Sequence, residues 1–494
     1  MTRPTRPITG MLCVGLTVGL SSCAVGPNYH RPAAPPTAVF KESEGWVPAQ
    51  PVRIAPGEPW WSVYADPVLS GLERRVEVSN ENLKAAVAAY YAAREAAGVT
   101  RGALFPSLDA SGAGTRSGGQ AGSSSSKFTG LTSAHTVYEA GGTASWDIDV
   151  WGKLRRELES ANAKAAASAA DVAAAQLSAQ ATLAEDYFEL RAAEEELRLL
   201  ETSVKDYRVS LRIAQNRVNA GVTTLADVYS ARTQLESTES QENTVELTRA
   251  KLEHAIAVLI GVPPSQLTLA QGRLAAAVPV APAGVPSRLL LRRPDIAAAE
   301  RTVASANAQI GVAEAAWFPD LTLSGSYSDA SSTLATLIRT SNAVWSFGPQ
   351  LAENLFNGGA TVAQTREARA LYDESVAAYR QTVLSAFQQV EDDLATLRFL
   401  QTEYGEEAQA VSDAERSETL TLNQYKAGVA DYASVLTAQT ARLNAQINAV
   451  SIQSQRLVAS ADLIDAIGGG WSSAQLDQRN DGVRETLGST VDQP

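Results

Sequence analysis

Two stretches of the chain carry hydrophobic residues at a seven-residue spacing that predicts two very long helices. In the first stretch, leucines lie seven residues apart at Leu183, Leu190 and Leu197, and a second apolar row lies three positions further on. Apolar residues at these two heptad positions form the seam of a left-handed coiled coil. The second stretch keeps the same register 207 residues later but is more polar. We therefore expect helices over about 152–219 and 360–426, each roughly 100 Å long.

Shorter helices are predicted on either side of the long ones. Each long helix should end at a glycine, Gly221 or Gly428, because glycine readily adopts the left-handed conformation that terminates many helices. The opening helices should end before a Phe-Pro pair, where proline stops a helix. The predicted shorter helices are opening helices over about 68–104 and 295–317, and return helices over about 224–260 and 431–467.

Alternating polar and apolar residues predict four strands, two in each half of the chain. Over 137–150, apolar residues such as Tyr138 and Trp146 share one face and polar residues share the other. Residues 320–328 repeat this pattern. The weaker strand predictions are 107–116 and 344–352, and the predicted hairpin loops are 117–133 and 329–343. Four strands are too few for a pore, but several chains together could supply enough.

The order of these elements indicates an internal duplication. Phe105-Pro106 recurs 213 residues later as Phe318-Pro319, whereas Ala220-Gly221 recurs 207 residues later as Ala427-Gly428. The first half should therefore contain six extra residues between its two landmarks. We divide the chain into a signal peptide (1–22), an extended tether (23–65), a first repeat (66–261), a Pro-rich connection (262–294), a second repeat (295–468) and a polar tail (469–494).

The first residues have the pattern of a secretory signal. Arg3 and Arg6 precede an apolar stretch that is too short to span a bilayer. The stretch ends in Leu20-Ser21-Ser22-Cys23, which resembles the bacterial lipobox, in which the cysteine is acylated and becomes the new N-terminus. We expect Cys23 to anchor the chain in the outer membrane, with the protein extending into the periplasm. The alternative is an ordinary signal peptide with an incidental cysteine.

Composition argues against several functional classes. The formal net charge of −13 disfavours a nucleic-acid binder. Three scattered histidines, and the lack of a P-loop, a dinucleotide fingerprint or an HExxH motif, lead us to expect no cofactor, no metal site and no enzyme. Beyond the signal, no apolar stretch reaches about 18 residues, so any membrane crossing should use a β-barrel.

Several short blocks, in order along the chain, resemble the outer membrane factors of tripartite efflux pumps, the TolC-like family, in its lipoprotein branch. The blocks are Cys23-Ala24-Val25-Gly26-Pro27-Asn28-Tyr29, Pro59-Trp60-Trp61, Arg292-Arg293-Pro294-Asp295-Ile296, Trp317-Phe318-Pro319-Asp320-Leu321 and Gln424-Tyr425-Lys426-Ala427-Gly428. The resemblance implies a mainly α fold with a small β part. It also implies a homotrimeric channel. In that channel a 12-stranded outer-membrane β-barrel, with four strands from each chain, continues into a long α-helical coiled-coil barrel in the periplasm.

The resemblance also implies a function. Small molecules, such as drugs or other toxic compounds, would be delivered by an inner-membrane transporter and a periplasmic adaptor protein, and would leave passively through this channel. Two alternatives stay open at this point. One is a protein-secretion duct with the same fold, and the other is a periplasmic structural coiled-coil lipoprotein.

The same resemblance assigns roles to residues at the ends of the long helices. The tips at Ala220, Gly221, Ala427 and Gly428 would contact the adaptor; the alternative is that both glycines only stop helices. Asp227 matches an aspartate that binds a tyrosine, here Tyr425, in the closed gate. The alternative is that Asp227 only caps the return helix.

Two other gate positions depart from the family pattern. Ala430 stands where the family has an arginine, and Thr437 stands where it has an aspartate. The usual acidic ring is therefore not expected, and Asp431 and Tyr432 would constrict the pore instead.

Overall fold

The computed structural model describes residues 24–35, 40–43, 59–120, 131–279 and 292–471, with backbone alone at 43, 119–120 and 131–133. The predicted signal peptide and its Cys23 lie outside the described residues. So do parts of the predicted tether (36–39 and 44–58), hairpin loop (121–130), connection (280–291) and tail (472–494).

The chain divides into two compact units. One contains residues up to 32, 91–167 and 300–378, and the other contains 33–90, 168–299 and residues from 379 onward. The helices are α1 (Pro67–Ser79), α2 (Glu81–Gly102), α3 (Lys153–Asn219), α4 (Leu225–Leu259), α5 (Pro294–Ala315), α6 (Ala360–Lys426) and α7 (Tyr432–Ala466). Within the described ranges, none of these helices combines the length and the apolar character needed to cross a bilayer.

The first unit contains a four-stranded antiparallel sheet, as the alternating pattern predicts. Its strands are β1 (Ser107–Gln120), β2 (Leu131–Asp147), β3 (Asp320–Ser331) and β4 (Ala343–Ala352). They pair in the order β1-β2-β3-β4, so the hairpins of the two repeats join along β2 and β3. The strands of the first hairpin are longer than predicted, because backbone pairing continues through the Gly/Ser-rich end of β1, which the sequence pattern assigns to a loop.

The two faces of this sheet differ in polarity. The register puts Trp146, Leu323, Trp345 and Phe347 on one face, and Trp345 is 74% exposed. The other face is polar: the hydroxyl groups of Ser326 and Ser346 lie 2.8 Å apart across β3 and β4. An exposed apolar face of this kind marks a surface that contacts lipid or another protein chain.

The matching helices of the two repeats have equal lengths. The long helices α3 and α6 both contain 67 residues, the return helices α4 and α7 both contain 35, and α2 and α5 both contain 22. The spacing between matching helices is 213 residues before the strand hairpins and 207 after them. The six extra residues of the first repeat therefore lie in the region of its strand hairpin.

The first opening helix is not continuous, contrary to the prediction of one helix over 68–104. Asn80 separates α1 from α2. Its side-chain oxygen accepts a hydrogen bond from the Leu83 N–H at 2.9 Å, and its amide donates to the Leu259 carbonyl at 2.8 Å. Asparagine is favoured at a helix start because its side chain satisfies a free backbone N–H. The hydrogen bond to Leu259 also attaches the opening helices to the end of α4, and the Asn80 side chain is buried there.

The residues that follow Cys23 are bound to the first unit. The Val25 N–H donates to the Trp151 carbonyl at 2.9 Å, and the buried Arg156 guanidinium donates to the carbonyls of Val25 and Gly26 and to the side chain of Asn28. Gly26 has a φ of +96°, and an added Cβ there would lie 2.4 Å from the backbone of Gly311. The start of the predicted tether is therefore docked on the helices.

A buried ionic network holds the described start of the Pro-rich connection. The Glu194 carboxylate accepts hydrogen bonds from Arg191 at 2.6 Å, Arg249 at 3.0 Å and the Gly272 N–H at 2.9 Å. Arg249 also donates to the Leu269 carbonyl at 2.8 Å. Burial of a charge is tolerated when it is paired and fully hydrogen-bonded, as it is here.

Candidate functional site

The two glycine tips have the same backbone structure. At the first tip, the Val222 N–H donates to the Arg217 carbonyl and the Gly221 N–H donates to the Val218 carbonyl, both at 2.9 Å. The second tip repeats these two bonds at Val429 and Gly428. This is the Schellman motif, which requires a left-handed residue, and Gly221 and Gly428 have φ values of +73° and +80°. Both long helices therefore end at the predicted glycines.

An exposed apolar side chain follows each tip glycine. The predicted tip residues Ala220, Gly221, Ala427 and Gly428 are all exposed. Val222 is 63% exposed and Val429 is 80% exposed. These two valines were not predicted from the sequence because they lie outside the heptad seam. The two valines occupy matched positions in the two repeats, and this match is the signal in the sequence that could have identified them.

Two buried tyrosines lie behind the tips. Tyr425 and Tyr432 pack edge to face with ring centroids 5.8 Å apart, in an apolar cluster that includes Val228 and Val435. Burial raises the pKa of the Tyr432 hydroxyl to about 12 and raises that of Tyr425. In the single chain Tyr432 therefore lies within the helix packing, which differs from the expectation that it projects into a pore.

The hydrogen bond between Asp227 and Tyr425 that the resemblance implies is not formed. The Asp227 carboxylate accepts a hydrogen bond from the Thr223 hydroxyl in its own turn, and the Tyr425 hydroxyl has no hydrogen-bond partner within the described part of the chain. Asp227 is not the cap of α4 either, since Thr224 occupies that position. Its charge does lie in the first helical turn, where the helix dipole favours a carboxylate.

Tyr425 instead contacts Arg217, a residue that the sequence analysis missed. The Arg217 Nη1 donates to the Tyr425 carbonyl at 2.7 Å, and the guanidinium carbon lies 4.4 Å from the centroid of the Tyr425 ring. These distances fit a charge-assisted hydrogen bond and a cation–π contact. The only signal in the sequence was the difference between repeats, since the counterpart of Arg217 is Gln424.

The remaining predicted gate residues lie on the surface of the single chain. Asp431 caps α7, accepting from the N–H of Ser434 at 2.9 Å and from its hydroxyl at 2.6 Å, and these bonds lower its pKa. Thr437 is exposed, and its hydroxyl donates to the Ala433 carbonyl at 2.9 Å. Across the described ranges, no group of three or more His, Cys, Asp or Glu side chains is arranged to hold a metal ion.

Comparisons with known proteins identify relatives that align over most of the chain. The family model described as Outer membrane efflux protein matches residues 73–262 and 285–469. The pyoverdine export outer membrane protein OpmQ of Pseudomonas aeruginosa is 32% identical over 417 residues, which cover 84% of this chain and 88% of OpmQ. The toluene efflux pump outer membrane protein TtgC of Pseudomonas putida is 29% identical over 454 residues, which cover 92% of this chain and 93% of TtgC.

The fold also matches a solved structure. The outer-membrane channel OprN is similar with a TM-score of 0.82 and 27% sequence identity, and the match covers 91% of this chain and all of OprN. The predicted fold class, mainly helical with one small sheet, is confirmed by this match and by the sheet itself. Because the family match spans both repeats, and the relatives align over most of their own length, the chain belongs to the outer membrane efflux protein family.

Proposed function

We propose that three copies of this chain form a passive outer membrane channel that exports small molecules, such as drugs or other toxic compounds. The observation that carries this proposal is the four-stranded sheet, which has one apolar face and two free edge strands, β1 and β4. In lipid, unpaired backbone groups at a sheet edge cost several kcal/mol each, about 2–7. Pairing of β1 with β4 of a neighbouring copy removes both edges. Three copies then close a 12-stranded barrel with the apolar face towards lipid.

The helical tips are the proposed contact with a periplasmic adaptor protein, which in turn contacts an inner-membrane transporter. Ala220, Gly221, Ala427 and Gly428 are exposed, and Val222 and Val429 add apolar contact area beside them. A protein partner that covers the tips would remove these two apolar side chains from water. The channel itself is proposed to perform no chemistry, so that it is not an enzyme.

The gate is proposed to lie at the same end of the helices. Asp431 and Thr437 are available to line it because both are exposed on the chain surface. Tyr425 and Tyr432 lie behind that surface and hold the hairpins together through their buried packing. Acylated Cys23 is proposed as the lipid anchor, and the docked residues 24–28 would keep it beside the first unit.

Valine substitution at the tips tests the proposal. Gly221→Val and Gly428→Val each force a side chain into a left-handed conformation, although an added Cβ meets no atom within 4 Å. We expect either variant to abolish drug resistance in a strain that depends on this channel, while trimers still form on gels. Gly405→Val is the matched control, because Gly405 is an exposed helical glycine whose added Cβ would meet no atom within 4 Å and whose φ is not positive.

Two measurements would refute the proposal. Purified wild-type protein should form pores in a planar lipid bilayer, and absence of conductance would exclude a channel. A deletion strain should become sensitive to small toxic compounds. If it instead lost only secreted proteins, the protein-secretion alternative would be correct.

A further inference from the structure

We infer that a second copy of this chain pairs with strand β4 in one fixed register, in which Gln350 lies opposite the partner subunit's Ala113. The register rests on the proposed function, in which β4 of one copy closes against β1 of the next, and it specifies which residues meet there. Within the described sheet, β1 and β4 are the two edge strands. The repeat within the chain determines how these edges meet.

The strand hairpins of the two repeats correspond residue by residue. Ser107 pairs with Ser145 in the first hairpin, and Asp320 pairs with Ala352 in the second. These two pairs occupy the same place in the two repeats, because β1 and β3 differ by 213 residues and β2 and β4 by 207. Both hairpins continue from these pairs without a shift over most of their length. Strand β1 therefore corresponds to β3, and β2 corresponds to β4.

The junction between the two repeats supplies the template for the contact between copies. At this junction β2 pairs with β3, and Thr143 lies opposite Ser326. Gln350 is the residue of β4 that corresponds to Thr143, and Ala113 is the residue of β1 that corresponds to Ser326. When β4 meets β1 of the next copy as β2 meets β3, Gln350 and the partner's Ala113 are opposite each other. The full antiparallel register pairs 345–352 with 111–118.

Closure of a barrel favours equal junctions. The tilt of the strands in a barrel is linked to the stagger between neighbouring strands, and a closed ring has no edge at which a mismatch is released. In a ring of three copies, junctions within a chain alternate with junctions between chains. The same stagger at both kinds of junction gives all strands one tilt, and this is the register inferred from the repeat.

The inferred register also keeps the two faces of the sheet separate. Side chains alternate between faces along a strand, so a slip of one residue would join the polar face of one copy to the apolar face of the next. In the inferred register Leu351 lies opposite the partner's Gly112, on the face that carries the exposed Leu108. On the polar face, Ser346 lies opposite the partner's Ser117. Each face is therefore continuous across the contact between copies.

Large side chains of β4 meet small residues of β1 at this contact. Trp345 and Leu351 are 74% and 67% exposed in the single chain. In the inferred register they lie opposite glycines, the partner's Gly118 and the partner's Gly112. An added Cβ at Gly112 would meet only the Glu139 carbonyl, at 3.9 Å, so the surface beside this glycine is open within the described part of the chain. Large side chains that cover glycines on the next strand stabilise a sheet. This fit favours the pairing of β4 with β1, and the repeat selects the register.

Disulfide cross-linking of the full-length protein in the outer membrane tests the register. Gln350→Cys combined with Ala113→Cys should give covalent dimers and trimers on a non-reducing gel, and reduction should return them to monomers. Directly opposite residues of antiparallel strands have Cα atoms about 4.5–5.5 Å apart, which a disulfide can bridge. A slip of two residues separates the Cα atoms by about 8 Å, which is too far. Both side chains are exposed in the single chain, so an oxidant can reach them.

Two displaced pairs are the matched controls. Gln350→Cys combined with Ser111→Cys, or with Thr115→Cys, moves the second cysteine to the next position on the same face in either direction. Both pairs should give little more covalent dimer than the single-cysteine variants. Thr143→Cys combined with Ser326→Cys has the same geometry within one chain and should lose its free thiols without forming dimers, which shows that the geometry allows the bond.

The outcomes separate the register from the proposed function. Stronger cross-linking of either displaced pair would overturn the register and leave the closure of β4 against β1 intact. Formation of the Thr143–Ser326 disulfide, with no cross-link between copies in any pair, would overturn the pairing itself. Conductance of the wild type in a planar bilayer would then decide separately whether the chain forms a channel. If the first variant fails to assemble, Ala352→Cys combined with Ser111→Cys tests the same register.

Discussion

The buried carboxyl group of Glu73 gives a sharp test of how this fold responds to pH. Glu73 lies on α1 and is fully buried, and neither carboxyl oxygen has a hydrogen-bond partner in the described part of the chain. Burial, with a smaller contribution from the charge of Glu77, raises its pKa to about 9. The folded chain therefore holds Glu73 protonated at neutral pH, whereas the unfolded chain, in which the carboxyl has its ordinary pKa, releases the proton.

The magnitude follows from proton linkage. Between the ordinary pKa and about 9, the folded state binds one more proton than the unfolded state, so the free energy of unfolding falls by about 1.4 kcal/mol for each pH unit gained. The stabilisation is complete below the ordinary pKa and is lost as pH rises towards 9. Glu185 and Asp393 have pKa values raised only to about 7, so they contribute little above pH 7.5.

Thermal unfolding of the full-length protein in detergent, followed by circular dichroism at pH 7.5 and 8.5, measures this effect. Glu73→Gln keeps a neutral side chain of similar size and removes the titration, so its midpoint should change much less with pH than that of wild type. Glu81→Gln, an exposed glutamate at the start of α2, is the matched control and should behave like wild type. Equal pH dependence in Glu73→Gln and wild type would refute the reasoning.

Two further predictions follow from contacts near the tips and the connection. Tyr425→Phe should leave the single-channel conductance and the amide hydrogen exchange at the second tip unchanged, because the hydroxyl has no hydrogen-bond partner in the described residues and the ring over which Arg217 lies is kept. A larger conductance would instead support the hydrogen bond between Asp227 and Tyr425 that the resemblance implies. Glu194→Ala should lower the free energy of unfolding by about 3–5 kcal/mol, because it leaves the buried Arg191 and its neighbour Arg249 without their shared carboxylate; a denaturant titration with an unchanged midpoint would contradict this.

The sequence predicted the parts of the fold that depend on regular spacing. Seam residues such as Leu183, Leu190 and Leu197 are buried, and both long helices end within one or two residues of the predicted bounds. Periodicity carries this information because a heptad repeat fixes which face of a helix is covered. The four strands were found for the same reason, since alternation fixes the two faces of a sheet.

Other features could not be predicted because they depend on contacts between distant residues. The break at Asn80 is fixed by the Leu259 carbonyl, far along the chain. The family pattern predicts a hydrogen bond between Tyr425 and Asp227. In the structure the Asp227 carboxylate accepts a hydrogen bond from Thr223, and the Arg217 guanidinium lies over the Tyr425 ring. Side-chain pairing at the tips is set by rotamers and neighbours, which a heptad pattern does not record.

The equal lengths of the matching helices constrain how this chain can change during evolution. Insertion of residues into α3 alone would shift Arg217 along its helix and away from Tyr425, and would move one glycine tip past the other. Insertions and deletions in the long helices should therefore be inherited in pairs, at corresponding places in both repeats, and in steps of seven that preserve the seam. The strand hairpins, where six residues already distinguish the repeats, are the region in which lineages are free to differ in length.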